Sequence, residues 1–105
     1  MRIRRHPLTR RDVRDILRHV ADSSGDVNAA VRRRNEIAAL TASIAANPHS
    51  GTRLGGRLRG WLVRHGGARR MVTIVFRPDD ASDTLLIALV AFGAHDWLGA
   101  MEGRR

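Results

Sequence analysis

The segment that could perform chemistry spans residues 53–77 and is rich in arginine. It contains seven arginines, no acidic residue and one histidine, His65. The arginines are Arg53, Arg57, Arg59, Arg64, Arg69, Arg70 and Arg77. Guanidinium groups bind phosphate oxygens through paired hydrogen bonds, and an imidazole can transfer protons near neutral pH. This composition predicts a surface for phosphate or for another dense anion.

The same residue types could cleave RNA without a metal ion. Such cleavage needs one group that removes the proton of the 2′-hydroxyl, another that protonates the leaving 5′-oxygen, and cations that stabilise the phosphorane. His65 and His95 could move the protons. The candidate cations are Arg57, Arg59, Arg64 and Arg70. Each arginine could instead be a solvated surface residue, and each histidine could belong simply to a turn or to a helix start.

Other common chemistries find no support in the sequence. The five histidines lack the paired spacing of metal ligands, and the chain has no cysteine. The serines lack the glycines of a nucleophile elbow, and the glycines do not match a phosphate-binding loop. We therefore expect no metal, no cofactor and no nucleotide-binding fold.

The length of 105 residues predicts a single domain, residues 1–105. The sequence contains no run of about 18 apolar residues that could cross a membrane, and no signal peptide. We therefore expect a cytoplasmic protein without membrane contact. The net charge of +9 is concentrated in residues 1–20 (+5) and 51–77 (+7), whereas residues 78–105 carry −3. Such a distribution would attract nucleic acid or an acidic protein.

Two amphipathic helices precede the basic segment. The first is expected to begin with Thr9 as its N-cap and Asp12 as the acid of a capping box, and to end at residues 23–25. Asp26 is expected to cap a second, longer helix that ends near Ala46, because an Asn-Pro pair follows. The short connection predicts that the two helices fold back on each other as a hairpin.

Strand-like patterns follow a loop at residues 47–56. The three main strands are predicted at residues 57–65, 69–77 and 84–92. An edge strand is expected within residues 1–6 and a short helix within residues 94–102. The strand at residues 84–92 is apolar throughout, which is typical of a central strand. This order predicts a two-layer α+β fold, with the N-terminal helical hairpin packed on one face of a curled antiparallel sheet and the other face free for function.

Four stretches occur in a characteristic order. They are LTRRDVRDILRHVAD, ANPHSG, LRGWLVRHGGARRMVTIVFR and LLIALVAFGAHD. This succession resembles the RelE/ParE superfamily of toxins from type II toxin-antitoxin systems. Residues 48–51 match the P-x-x-G loop of that family, Arg70 matches the arginine that opens the strand after the hairpin turn, and His95-Asp96 lies where the closing motif falls. The resemblance covers nearly the whole chain and implies the family's fold.

The resemblance also implies functional residues. In the ribosome-dependent nucleases of this superfamily, basic residues on the strands and at the end of the sheet act on mRNA in the ribosomal A site. The resemblance implies first-strand cations at Arg57, Arg59 and Arg64, a second-strand cation at Arg70 and a group at the end of the sheet at His95. We predict Arg64, Arg70 and His95 as catalytic residues, and Arg57, Arg59, Arg69 and His65 as RNA-binding residues. Those nucleases often use a tyrosine in the closing helix, whereas this chain has no tyrosine and has Met101 at about that position.

The resemblance favours a toxin that inhibits translation by cleaving mRNA at the ribosome, as a metal-independent endoribonuclease. One alternative is a non-enzymatic inhibitor of DNA gyrase, which suits the long second helix. Another is a basic nucleic-acid-binding module without toxicity. A toxin should have a cognate antitoxin as its partner, with an acidic, amphipathic segment that binds across the strands or along the helices.

Overall fold

The chain begins with a short strand and two long helices. In the computed structural model, which describes residues 1–105, β1 spans Arg2–Arg5, α1 spans Thr9–Ser24 and α2 spans Val27–Ala46. Gly25 ends α1 in the left-handed conformation, at φ 66°, and its amide donates to the Ala21 carbonyl. The Asp26 side chain accepts a hydrogen bond from the Asn28 amide at the start of α2. The predicted hairpin and its Asp26 cap are confirmed.

The start of α1 differs from the prediction. Leu8 occupies the N-cap position without a side-chain hydrogen bond, whereas Thr9 lies inside the helix and donates its hydroxyl to the His6 carbonyl at 2.8 Å. The predicted capping box is wrong because Asp12 turns towards the sheet. Its carboxylate accepts a hydrogen bond from the Val90 amide at 3.0 Å. A tertiary contact thus takes the place of the local one.

Five strands form one sheet in the order β1-β5-β4-β3-β2. The remaining elements are β2 at Thr52–Arg53, β3 at Leu62–Gly66, β4 at Val72–Asp79, β5 at Thr84–Phe92 and α3 at Trp97–Met101. The strands from β2 to β5 pair antiparallel, but β1 runs parallel to β5, so the sheet is mixed. The predicted two-layer α+β fold is confirmed, with β1 at an edge. None of the helices is both long and apolar enough to cross a membrane.

The strands β3 and β4 begin later than predicted because left-handed residues precede them. Gly56 and Gly60 have φ of 59° and 95°, and a 3₁₀ turn replaces extended chain before β3. Arg69 and Arg70 have φ of 56° and 57° and belong to the β3–β4 turn. A strand cannot contain these conformations. The two predicted strands therefore lose their first residues.

Apolar side chains cover both faces of the sheet. Towards the helices, ten buried residues form one cluster, which includes Ile74 and Phe76. On the opposite face, eight buried residues form a second cluster, which includes Trp61 and Met101. The expectation that this face is entirely free for function is wrong. Since β4 and β5 present apolar residues on both faces, α3 and the segment before β3 cover part of the second one.

Asp12 and Arg104 complete the hydrogen bonding of β5. The pairing with β4 skips Ala88, which forms a β-bulge. Arg104 donates to the Ala88 carbonyl at 3.1 Å, and Asp12 accepts from the Val90 amide, which lies beyond the end of β1. The two side chains also pair with each other, with 2.7 Å between Arg104 Nη2 and Asp12 Oδ1, and both are nearly buried. This ion pair therefore joins α1, β5 and the C-terminal residues.

Replacing Asp12 by asparagine should destabilise the fold, because it leaves the Arg104 guanidinium without its anionic partner. We expect the free energy of unfolding to fall by about 2 to 3 kcal/mol, as measured by urea denaturation. Asp15→Asn is the matched control, since Asp15 lies on the same helix and is exposed. It should change the stability by less than about 0.5 kcal/mol. Equal stability of the two variants would contradict the role of the ion pair.

Candidate functional site

Some of the sequence-predicted residues meet at one end of the sheet, which we call the turn end. It comprises His65 at the end of β3, residues 67–71 in the β3–β4 turn, and residues 93–96 between β5 and α3. A hydrogen bond of 2.9 Å from the Gly93 amide to the Met71 carbonyl joins the two segments. This bond places Arg70 beside the segment that contains His95.

The β3–β4 turn presents two arginines on a strained backbone. Arg69 and Arg70 are both in the left-handed region, and both are exposed. This conformation costs a residue with a Cβ atom roughly 1 to 2 kcal/mol. The turn is closed by a hydrogen bond from the Arg70 amide to the Gly67 carbonyl at 3.1 Å. Two strained residues in succession point to a functional role, since such strain persists where the surrounding structure imposes it.

An ion pair on α2 lies next to this turn, beside Gly67. Arg33 donates to Glu36 at 2.7 Å, and about a fifth of each side chain is exposed. Gly67 has φ 73°, and a Cβ atom there would lie 2.7 Å from Glu36 Oε2, so a larger residue would be strained. The Arg33 guanidinium lies 5.8 Å from the centroid of the Phe92 ring, at the end of β5. Sequence reasoning missed this pair, although the spacing of three residues on a helix was a signal for it.

His65 lies on the face of the sheet opposite the helices and is partly buried. Its Nδ1 atom is 2.9 Å from the Thr73 hydroxyl oxygen, a hydrogen-bond distance. Its ring meets Trp97 edge to face, with 6.2 Å between the ring centroids. These two contacts fix the ring at the turn end and leave Nε2 as the nitrogen that can reach a ligand.

His95 is exposed at the opposite side of the turn end. It borders a shallow pocket of about 310 Å³ between α1 and β5. The floor of this pocket is apolar and includes Ile16 and Phe92, and its rim is polar and includes Asp15 and His19. His95 can therefore contact a partner that lies against the turn end or one that enters the pocket.

Arg64 does not belong to the turn end. Residues of a strand alternate between the two faces, and Arg64 lies on the helix-facing side whereas His65 lies on the other. The Arg64 guanidinium donates to the Ser43 hydroxyl at 3.0 Å and to the Ser50 hydroxyl at 3.2 Å. These bonds tie α2 to the loop before β2 and give Arg64 a structural role.

Arg57 and Arg59 are also remote from the turn end. Both lie in or next to the 3₁₀ turn before β3, and both are exposed. Arg57 lies 3.9 Å from Glu102, just beyond α3. Of the seven predicted residues, the structure thus gathers Arg69, Arg70, His65 and His95 and separates the other three.

The turn end has the chemistry of an anion-binding surface. Its arginines can each donate two parallel hydrogen bonds to a phosphate or a carboxylate. Its two imidazoles can donate or accept hydrogen bonds. No group of three or more histidine, aspartate or glutamate side chains is arranged to hold a metal ion.

The helical hairpin packed on a mixed sheet is the fold that the resemblance to RelE/ParE toxins implied. The family model of the ParE toxin of the type II toxin-antitoxin system parDE matches residues 3–97. The chain therefore belongs to this ParE toxin family, and it is the toxin component of a type II toxin-antitoxin system.

Among solved structures, the toxin-antitoxin complex RelBE2 from Mycobacterium tuberculosis contains a similar chain. The two chains are 20% identical, with a TM-score of 0.56 over 87% of this chain and 95% of that one. At this identity the likeness concerns the fold. A comparison with curated proteins gives no match.

Replacing Arg70 or His95 by alanine should relieve growth arrest when the toxin is expressed without an antitoxin. Each change removes an exposed group of the turn end, and alanine at position 70 has the same left-handed cost as arginine because both have a Cβ atom. We expect the viable count after induction to rise at least about 10-fold, as typical for loss of a charged contact of about 1.4 kcal/mol or more.

The matched control is Arg18→Ala, which removes an exposed arginine of α1. It should leave the arrest unchanged. Thermal unfolding of all three purified variants checks that they remain folded. Full toxicity of a folded Arg70→Ala, His95→Ala double variant would rule out the turn end as the site.

Proposed function

We propose that this toxin arrests growth by binding DNA gyrase through the turn end, without cutting RNA. The position of Arg64 is the main support. A nuclease built on Arg64, Arg70 and His95 needs these groups around one phosphate. Arg64 is instead held by two serines on the helix-facing side of the sheet. A binding surface has no such requirement, because its groups need only face the partner.

Membership of the ParE toxin family and the form of the turn end also support this proposal. Inhibitors of the gyrase-directed branch do not need an acid and a base at one phosphate. Exposed arginines match carboxylates of a protein or phosphates of its DNA through paired hydrogen bonds. Arg69 and Arg70 are both exposed, so a partner can reach them.

Cleavage of mRNA at the ribosome is the second candidate function. It is favoured by one observation, that His65 and His95 lie at the same sheet end as Arg70. In that case His65 Nε2 and the His95 ring would exchange protons with the substrate, and Arg69 and Arg70 would stabilise the phosphorane. Gyrase and the ribosome both act in the cytoplasm, which we propose as the compartment of this toxin.

We propose that the cognate antitoxin neutralises the toxin through a groove between the helical hairpin and the sheet. The groove has a volume of about 560 Å³, and its floor is apolar and includes Ile3, Val13 and Ile37. Its rim contains the basic residues Arg5, Arg10 and Arg34. An amphipathic helix with an acidic edge matches both features.

Purified toxin should inhibit DNA supercoiling by gyrase in a reaction that contains only gyrase, ATP and plasmid. We expect the Arg70→Ala, His95→Ala double variant to need at least about 10-fold more protein for the same inhibition, because it lacks two contacts at the turn end. Arg18→Ala should inhibit like the unmodified toxin.

A second reaction tests RNA cleavage. Translating ribosomes with a defined mRNA should give no new 5′ ends by primer extension when toxin is added. New ends together with unimpaired supercoiling would overturn the gyrase proposal and establish the nuclease. Neither effect, with growth arrest intact, would exclude both targets.

A further inference from the structure

A second basic surface crosses the sheet at the end away from the turn end. Arg4 on β1 and Arg77 on β4 are both register partners of Leu86 on β5, so the three residues lie in one row. Paired residues point to the same face, and Leu86 packs on the cluster opposite the helical hairpin. Neighbouring strands are about 4.8 Å apart, which places the two arginine Cα atoms roughly 10 Å apart.

Trp61 holds Arg77 in a fixed orientation. The guanidinium carbon of Arg77 lies 4.5 Å from the centroid of the Trp61 ring. The stem of Arg77 runs past Gly60, where an added Cβ would lie 3.9 Å from the Arg77 Cδ atom. A guanidinium stacked on an aromatic ring keeps the N–H donors at its edge free. Arg77 is therefore pre-oriented to receive an anion.

One shallow groove lies within this row, and a second groove beside it contains further arginines. A groove of about 180 Å³ lies between Arg4 and Arg77 and also contains the polar groups of Ser82 and Thr84, with Asp79 as its acid. A groove of about 390 Å³ beside Trp61 contains Arg53 and Arg59. The salt bridges of this protein use other arginines. None of Arg4, Arg59 and Arg77 belongs to these pairs, and Asp79 is the one acid that lines the groove between Arg4 and Arg77.

We infer that three of these arginines, which we call the arginine row (Arg4, Arg59 and Arg77), bind the phosphate backbone of duplex DNA. Arg53 is left out because its register partner Leu62 faces the helical hairpin. Guanidinium groups spaced along a surface match a line of phosphates. Single-stranded nucleic acid is usually held by exposed aromatic rings that stack on its bases. The aromatic residue of this surface, Trp61, is only 4% exposed and lies under Arg77, so it offers no free ring.

This inference goes beyond the proposed function and does not depend on it. The arginine row and the turn end lie at opposite ends of β4, so one can contact DNA while the other contacts a protein. A toxin with both surfaces would bind a protein that is itself on DNA more firmly than either surface alone, since the second contact is intramolecular.

Fluorescence anisotropy with a labelled duplex of about 20 base pairs tests the arginine row, using the full chain without gyrase. We expect the Arg4→Gln, Arg77→Gln double variant to bind about 10-fold more weakly than the unmodified protein. The slope of log K against log salt should also fall by about two. The matched control is Arg11→Gln, Arg18→Gln, which removes the same charge from the exposed face of α1. It should change the affinity less than about 2-fold.

Three results would overturn the inference. They are no binding by the unmodified protein at low salt, an equal loss in the two double variants, and binding of a single-stranded RNA of equal length at least about 10-fold tighter than the duplex. Arg77→Lys keeps the charge and loses the planar stack, so it should weaken binding at unchanged net charge. Binding at full strength by that variant would contradict the role of Trp61. Because gyrase is absent, failure here leaves the gyrase proposal standing, and the reverse also holds.

Discussion

The ion pair of Asp12 and Arg104 is the contact on which the arrangement of the layers depends. β5 lies inside the sheet, yet β1 ends opposite Ile87 and the bulge at Ala88 removes a carbonyl from the ladder. A buried backbone group without a hydrogen-bond partner lowers the stability of the fold. Asp12 and Arg104 provide the hydrogen bonds that a neighbouring strand would otherwise provide to Val90 and Ala88. The same pair attaches α1 to one edge of β5 and the C-terminal residues to it. It thereby helps to keep α3 over the second apolar cluster. The packing on both faces of the sheet therefore depends on the hydrogen bonds that these two side chains make to β5.

Contacts with β5 and α2 hold the turn end in place. Gly93 fastens the end of β5 to the β3–β4 turn, and the Arg33–Glu36 pair supports the turn from α2. Buried atoms of that pair, Arg33 Nε and Glu36 Oε2, have no hydrogen-bond partner. A polar pair of this kind contributes little net stability, so its position under a strained turn is better explained by orientation of the turn. The contacts from Gly93 and from the Arg33–Glu36 pair therefore help to hold Arg69 and Arg70 in the left-handed conformation.

The arginines of this toxin include some that are bonded to other elements of the fold and some that are exposed on its surface. Arg64 and Arg104 are bonded to other elements and hold the fold together. Arg69 and Arg70 are exposed at one end of the sheet, while Arg4 and Arg77 are exposed at the other, and none of the four forms a salt bridge. A chain with a net charge of +9 therefore has two separate basic surfaces, and basic residues also line the groove between the helical hairpin and the sheet.

Local sequence signals determined the hairpin, the Asp26 cap, the central apolar strand and the turn that ends it, because the residues that decide each of these lie within one or two turns of chain. The order of helices and strands predicted the two layers, and the resemblance to RelE/ParE toxins implied the same fold. The contacts of three residues depend on the tertiary structure, and the local sequence pattern did not predict them. Asp12 was predicted in a helix cap but accepts a hydrogen bond from a backbone amide 78 residues away. Arg64 donates to serines of α2 and of the next loop. Arg70 was predicted in a strand but lies in a turn with left-handed backbone. The side of the sheet that a residue faces depends on register, and a shift of one residue reverses it, so the charge pattern predicted a basic surface without predicting which arginines form it.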